Sequence, residues 1–251
     1  MLVAAALVPD TALLVPGAGG SRDIASALRA GSLAVVAAAL VGARTLVVVA
    51  PGPVTRELSG TVVGSLGAAG IPDGALAWPV PVVVAGSGVT HGPTQRPGIA
   101  AAVGLHLAAQ AGWGGLTRVV EVAPDGDLLA LGSELVADGP TALLVVGSGS
   151  ARHGPDAPLA DDERAPAYDE ALLADLVGAG PAARARLAER GSDEAAALAV
   201  GGLGPWKVLV GAAGDGELSA RAEHVEVLAG AQHAALLWCS ISEGAATEDA
   251  A

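Results

Sequence analysis

Three short runs without a single charged side chain constrain this chain more than any other feature: Leu2–Val8, Thr45–Ala50 and Thr141–Val146. Side chains along a strand point to opposite faces in turn, so a half-exposed strand alternates apolar and polar residues. A run that never alternates needs cover on both faces, which is the situation of a parallel strand lying between two layers of helices. Each run is stopped by turn formers, Pro9-Asp10, Pro51-Gly52-Pro53 and Gly147-Ser148-Gly149 respectively. Whatever follows these strands therefore leaves the carboxyl edge of the sheet, where open α/β sheets bind their ligands.

The intervening segments supply the helices. Spacing predicts helices over 22–41, 98–111, 127–136 (with Asp127 as N-cap) and 166–178, and one or two Ala-rich helices over 181–200. Pro81–Ala85 and Leu116–Val122 read as further strands, and 224–229 with 234–241 as a closing hairpin. The segment 54–69 is ambiguous, with a short helix as one reading, and 206–213 fits either helix or strand. Strands alternating with helices imply an α/β fold, a single three-layer α/β/α domain over 1–242 with a mainly parallel or mixed central sheet. The carboxyl-terminal hairpin is expected to be antiparallel, and 243–251 to be a flexible acidic tail.

Charge narrows the partners. The formal net charge is −13 and Lys207 is the one lysine, so nucleic acid and anionic membrane are not expected partners, because phosphate binding draws on clustered Lys and Arg. Cys239 is the single cysteine, which excludes an intramolecular disulfide; its apolar surroundings predict an inert buried thiol. The densest apolar run, 33–43, is far shorter than the roughly 20 residues of a spanning helix. The amino terminus lacks the positive region of a signal peptide, and a cytoplasmic location is expected.

Two loops resemble each other, GSGVTHGP at 86–93 and GSGSARHGP at 147–155, and each delivers a histidine just beyond a strand. If those strands are parallel, His91 and His153 leave the same edge and converge with Asp10, and two His with one carboxylate is a known metal ligand set. The alternative is that both loops are ordinary turns with exposed imidazoles. His153 alone suits general acid/base work near neutral pH, with Arg152, Asp156, Asp161, Asp162, Glu163 and Arg164 around it. His106, inside a helix pattern, and His233, at the hairpin turn, are expected to be structural, and His224 and Glu226 to share one face of a solvated edge strand. Residues 17–23, GAGGSRD, lack the third glycine of a dinucleotide fingerprint and the Lys-Ser/Thr of a P-loop. No G-x-S-x-G elbow is present, so Ser148 and Ser150 have little claim as nucleophiles.

Taken together, these segments resemble the superfamily of class III extradiol ring-cleavage dioxygenases, which includes the Memo-like proteins. The resemblance, closest to an Ala-rich actinobacterial-type branch, rests on V-P-x-x-x-L-L-V-P from Val8 to Pro16 and on the strand ending at Ala50-Pro51-Gly52. It rests further on G-x-G-S-x-R-H at 147–153, the acidic D-E-R-A-x-x-Y-D block from Asp162 to Asp169, and G-x-x-x-W-x-V-L-x-G-A from Gly202 to Ala212. Active members hold ferrous iron with two His and one Glu and use a further His as acid/base. Carried over, the first ligand falls on Asp10, the second on Gly52, and the Glu near 205–207, where no carboxylate stands. The acid/base histidine falls on His153.

The resemblance thus implies a dioxygenase-like protein with a degenerate iron site and no expected cofactor, non-catalytic or binding a small molecule. Its catalytic remnant would be His153 and Asp10, with His91, Gly52, Ser148 and Arg152 as candidate cleft residues. The alternative is an active metal-dependent dioxygenase or hydrolase with a site rebuilt from Asp10, His91 and His153.

Overall fold

The computed structural model describes residues 1–86 and 94–241. Among these, nine strands form one mixed sheet: β1 (Leu2–Val8), β2 (Thr45–Pro51), β3 (Arg56–Leu58), β4 (Gly60–Val63), β5 (Val82–Ala85), β6 (Leu116–Val122), β7 (Thr141–Val146), β8 (Leu218–Leu228) and β9 (Ala231–Ser240). Their spatial order is β4-β5-β6-β2-β7-β1-β9-β8, with β3 paired to β6. The uncharged runs lie at its centre. β1 and β2 both pair in parallel with β7, and β2 also pairs in parallel with β6. β9 is antiparallel to β1 and to β8, so the closing hairpin is antiparallel.

Among the described residues, seven α-helices cover the two faces: α1 (Ser26–Ala39), α2 (Ile99–Gln110), α3 (Leu128–Leu135), α4 (Ala165–Gly178), α5 (Pro181–Glu189), α6 (Ser192–Ala197) and α7 (Leu203–Ala213). The central strands divide their side chains between two cores, as the absence of alternation required. Ala4, Ala6, Val48, Leu144 and Val146 pack with Leu28, Val35 and Val36 of α1 and Val103 and Leu105 of α2. Ala5, Leu7, Val47, Leu143 and Val145 pack on the opposite face with Leu128, Leu172, Leu187, Trp206 and Leu209. Asp127 caps α3, its carboxylate accepting the amide hydrogen of Ala130 at 3.0 Å. None of the described helices is long and apolar enough to cross a membrane.

The segment 54–69 departs from the helical reading. It contains β3 and β4 rather than a helix, followed by a short 3-10 turn at Gly67–Ala69. Arg56, Glu57 and Leu58 pair antiparallel with Glu121, Val120 and Val119, and a three-residue strand held by so distant a partner carries no period of its own. The ambiguous stretch near 206–213 is helical, as α7, and the expected 243–251 tail lies outside the described residues.

Candidate functional site

The site is built where β1 and β7 end together. Val8 pairs with Val146, the amide of Gly147 donates to the carbonyl of Val8 at 2.8 Å, and Asp10 and Ser148 follow at the same edge. β9 runs the other way, so its beginning lies at that edge too: Leu7 faces Leu236, and His233 lies three residues further out along β9. Residues 148–150 then continue as a ribbon past the sheet. Gly149 donates to the carbonyl of Gln232 at 2.9 Å on one side, and Gly202 donates to that of Ser148 at 3.0 Å on the other.

These constraints bring Asp10, Ser148 and His233 to one cavity of about 260 Å³, with Thr11, Ala199 and Gly201 also on its wall. Ser148 Oγ lies 3.0 Å from His233 Nδ1 and accepts the Asp10 amide hydrogen at 3.2 Å. With the ring neutral and its proton on Nε2, Ser148 donates to Nδ1 while its oxygen receives Asp10, so both hydroxyl roles are filled. Burial pushes the His233 imidazole down from its ordinary value, against the opposing charges of Asp10 and Glu226.

The sequence marks His233 as a structural turn residue, yet it is the histidine that lines this cavity. Its place follows from the register of β9 against β1, a long-range pairing with no local signature. Glu121 is the second residue that sequence reasoning passes over. It is a buried carboxylate near the carboxyl end of β6, held by Arg56 Nε at 2.7 Å and by the Gly98 amide at the start of α2. A lone glutamate in an otherwise apolar strand end is the available signal.

His153 sits differently. Its Nε2 is 2.6 Å from Asp169 Oδ2 on α4, its amide donates to Gly230 at 3.0 Å, and it is not among the residues lining the Asp10 cavity. Asp169 is buried and also accepts the Ser150 amide with both oxygens, at 3.1 and 2.9 Å. Burial pushes the Asp169 carboxyl up from its ordinary range, opposed by the bonds from His153 and Ser150. Several other charged groups of the loop find partners close at hand. Arg152 donates to the carbonyl of Ala160, Asp161 accepts the Gly154 amide, and Asp162 pairs with Arg164. The geometry around His153 is that of a clamp between the loop and α4. His91 lies outside the described residues.

Gly52 follows β2 at the same edge and lines a neighbouring cavity of about 220 Å³ with Pro51, Val122, Leu203 and Pro205. A Cβ at Gly52 would lie 2.8 Å from Glu121 Cβ, so a larger residue there needs Glu121 to move. At 205–207, Pro205 faces the apolar cavity, Trp206 lays its ring over Gly202, and Lys207 donates to the carbonyl of Arg190 at 2.7 Å. The residue that meets the Asp10 carboxylate is Gly201, where a Cβ would lie 2.4 Å from Oδ2. Among the described residues no group of three His, Cys, Asp or Glu side chains is arranged to hold a metal ion. Ferrous iron with open positions needs two His and a carboxylate, and of the positions assigned to them only Asp10 carries a donor. These residues do not fit that ion.

His106 gives a prediction of its own. It is fully buried in α2, its Nε2 is 3.0 Å from the carbonyl of Gly64, and burial pushes it below its ordinary value, as with His233. A histidine held neutral in the fold but ordinary when unfolded contributes stability that is fully present above the unfolded pKa. Below about pH 6.5 the unfolded chain takes up a proton that the folded chain refuses, so each such group removes up to about 1.4 kcal/mol per pH unit until the folded pKa is reached. Urea melts from about pH 7.5 to about pH 5.5 should therefore lose stability more steeply in the natural chain than in His106→Gln, whose side-chain amide can still reach Gly64. Parallel profiles for the two proteins would contradict a buried neutral His106.

No protein-family model matches the chain, and no curated protein matches its sequence. Among solved structures it is similar to the crystal structure of an uncharacterized protein from Escherichia coli K12, at 14% sequence identity. The match covers 95% of this chain and 100% of that one, with a TM-score of 0.48.

Proposed function

We propose that this chain is an extradiol-dioxygenase-like protein whose cleft, at the carboxyl edge of the sheet, binds a small molecule without a ferrous centre. The observation that carries this reading is the lining of that cleft. A hydrogen-bonded Ser148 and His233 and the Asp10 carboxylate stand at the ends of β1, β7 and β9, where a ligand would be held. The positions that the resemblance assigns to the second histidine and the glutamate carry Gly52 and the segment Pro205–Trp206–Lys207, which offer no imidazole or carboxylate. Fold and chemistry are inherited separately, and a cleft can outlast the metal it once served. His153, tied to Asp169, then serves to hold the loop that shapes the cleft, and mutating it should disturb the loop before it disturbs any chemistry.

Metal content tests the reading. Full-length protein purified without chelator, then incubated anaerobically with excess Fe(II) and desalted, is expected to retain only traces of iron and to consume no oxygen with a catechol. Stoichiometric iron, with oxygen uptake abolished in both Asp10→Ala and His153→Ala, would overturn it in favour of a rebuilt metalloenzyme site.

A further inference from the structure

Two cavities open side by side at this edge of the sheet, and Gly201 belongs to the wall of both. The first carries Asp10, Ser148 and His233 among otherwise largely apolar walls. Its neighbour is walled by Pro51, Val122, Ala195, Leu203 and Pro205 and carries no charged side chain among the described residues. No described lysine or arginine lines either cavity, and the acidic or basic groups on their described walls are Asp10 and the His233 imidazole alone. Among the described residues, none of the ion pairs involves the Asp10 carboxylate. Its backbone amide is engaged with Ser148, but its side-chain oxygens receive no side-chain or backbone donor there.

Each class of ligand meets this arrangement differently. An anion entering the cleft would face Asp10 with no compensating cation, within a chain of net charge −13. A neutral molecule would strip the carboxylate's water and replace it at best with a neutral donor such as a hydroxyl, leaving the charge uncompensated. A metal ion needs further ligands that the described residues do not bring together. An ammonium group meets all the conditions at once, donating to the carboxylate while its carbon body fills the apolar space beyond Gly201.

We propose that the two neighbouring cavities, which share Gly201 in their walls, act as one cleft and bind a small protonated amine, with the ammonium group on Asp10 and a compact aliphatic body in the cavity between Pro51 and Leu203. This proposal rests on the reading of the cleft as a small-molecule site and adds the ligand's chemical class. Charge-assisted hydrogen bonds are about twice as strong as neutral ones, so the charge should dominate selection among ligands of equal shape.

The test uses three probes of one shape and different charge: cyclohexylmethylamine, cyclohexylmethanol and cyclohexanecarboxylate, titrated calorimetrically into the full-length chain at neutral pH. The amine is expected to bind about tenfold or more tightly than the alcohol, and the carboxylate most weakly. Asp10→Asn, which keeps the side chain's shape and whose melting temperature checks its fold, should erase the difference between amine and alcohol. Raising the salt concentration should weaken the amine and leave the alcohol unchanged, a readout that needs no variant. Equal binding of amine and alcohol, or an amine preference that survives in Asp10→Asn, overturns the assignment of charge. Failure of the amine to bind at all also overturns it. The iron and oxygen-uptake measurements are independent of these probes and decide the cleft reading separately.

Discussion

Replacing Asp169 with alanine is expected to cost the fold about 3 kcal/mol and to loosen the loop that carries Ser148 and His153. The size follows from what the carboxylate does. Both of its oxygens accept the Ser150 amide and one accepts His153 Nε2, in a place where Asp169 is 3% exposed. Without it the Ser150 N–H is left buried and unpaired, which costs about 1–3 kcal/mol, and the bond to His153 is lost at about 1 kcal/mol more. A partial credit comes from removing a carboxylate that burial already disfavours, the direction in which its pKa is pushed. Asp169→Asn keeps an oxygen for Ser150 and should cost only about 1 kcal/mol. Urea denaturation at neutral pH gives the energies, and hydrogen exchange at the Ser150 amide locates them. An alanine variant within about 0.5 kcal/mol of the natural chain would mean the clamp is ornamental.

The same residues show how far sequence can be read. β1 and β7 have the boundaries expected from Leu2–Val8 and Thr141–Val146, because a strand buried on both faces writes its limits as the limits of an apolar run, whereas β6, which carries Arg118 and Glu121, matches Leu116–Val122 through the Pro124-Asp125-Gly126 turn that closes it. The common edge of Asp10 and Ser148 followed from those limits and from parallel pairing. β3 did not, since Arg56–Leu58 is a strand only because Glu121 and its neighbours lie alongside. Asp169 closes the acidic block from Asp162 yet gives no sign that it reaches back to Ser150, a contact set by how α4 lies on the sheet. His233 is the clearest case. One residue's shift in the register of β9 would turn its side chain to the other face, and nothing in the local sequence fixes that register.

The cleft's apolar half depends on a helix crossing that admits no extra carbon. α7 begins at Leu203, on the wall of that cavity, and crosses α3 with backbone against backbone. A Cβ at Gly132 would lie 2.0 Å from the carbonyl oxygen of Val208, and one at Gly211 would lie 2.0 Å from that of Leu129. Ser133 Oγ fastens the crossing through the carbonyl of Gly211 at 2.9 Å. In an open helix, glycine to alanine gains about 1 kcal/mol from reduced chain entropy. Here the added methyl meets backbone atoms that cannot rotate away, so the helices must separate, and overpacking of a core costs about 1–3 kcal/mol or more before that gain is subtracted. Gly132→Ala and Gly211→Ala are each expected to destabilise the chain by about 2 kcal/mol net, whereas Gly114→Ala, with open space around it and no positive φ, should be neutral. Because either substitution opens the same crossing, the double variant should cost less than the two singles added together. Thermal melts of the four proteins check this, and additive losses would mean that the two glycines relieve separate clashes. Separation of α3 and α7 moves Leu203 and Pro205 as well, so both single variants should weaken amine binding even though neither residue lines the cleft.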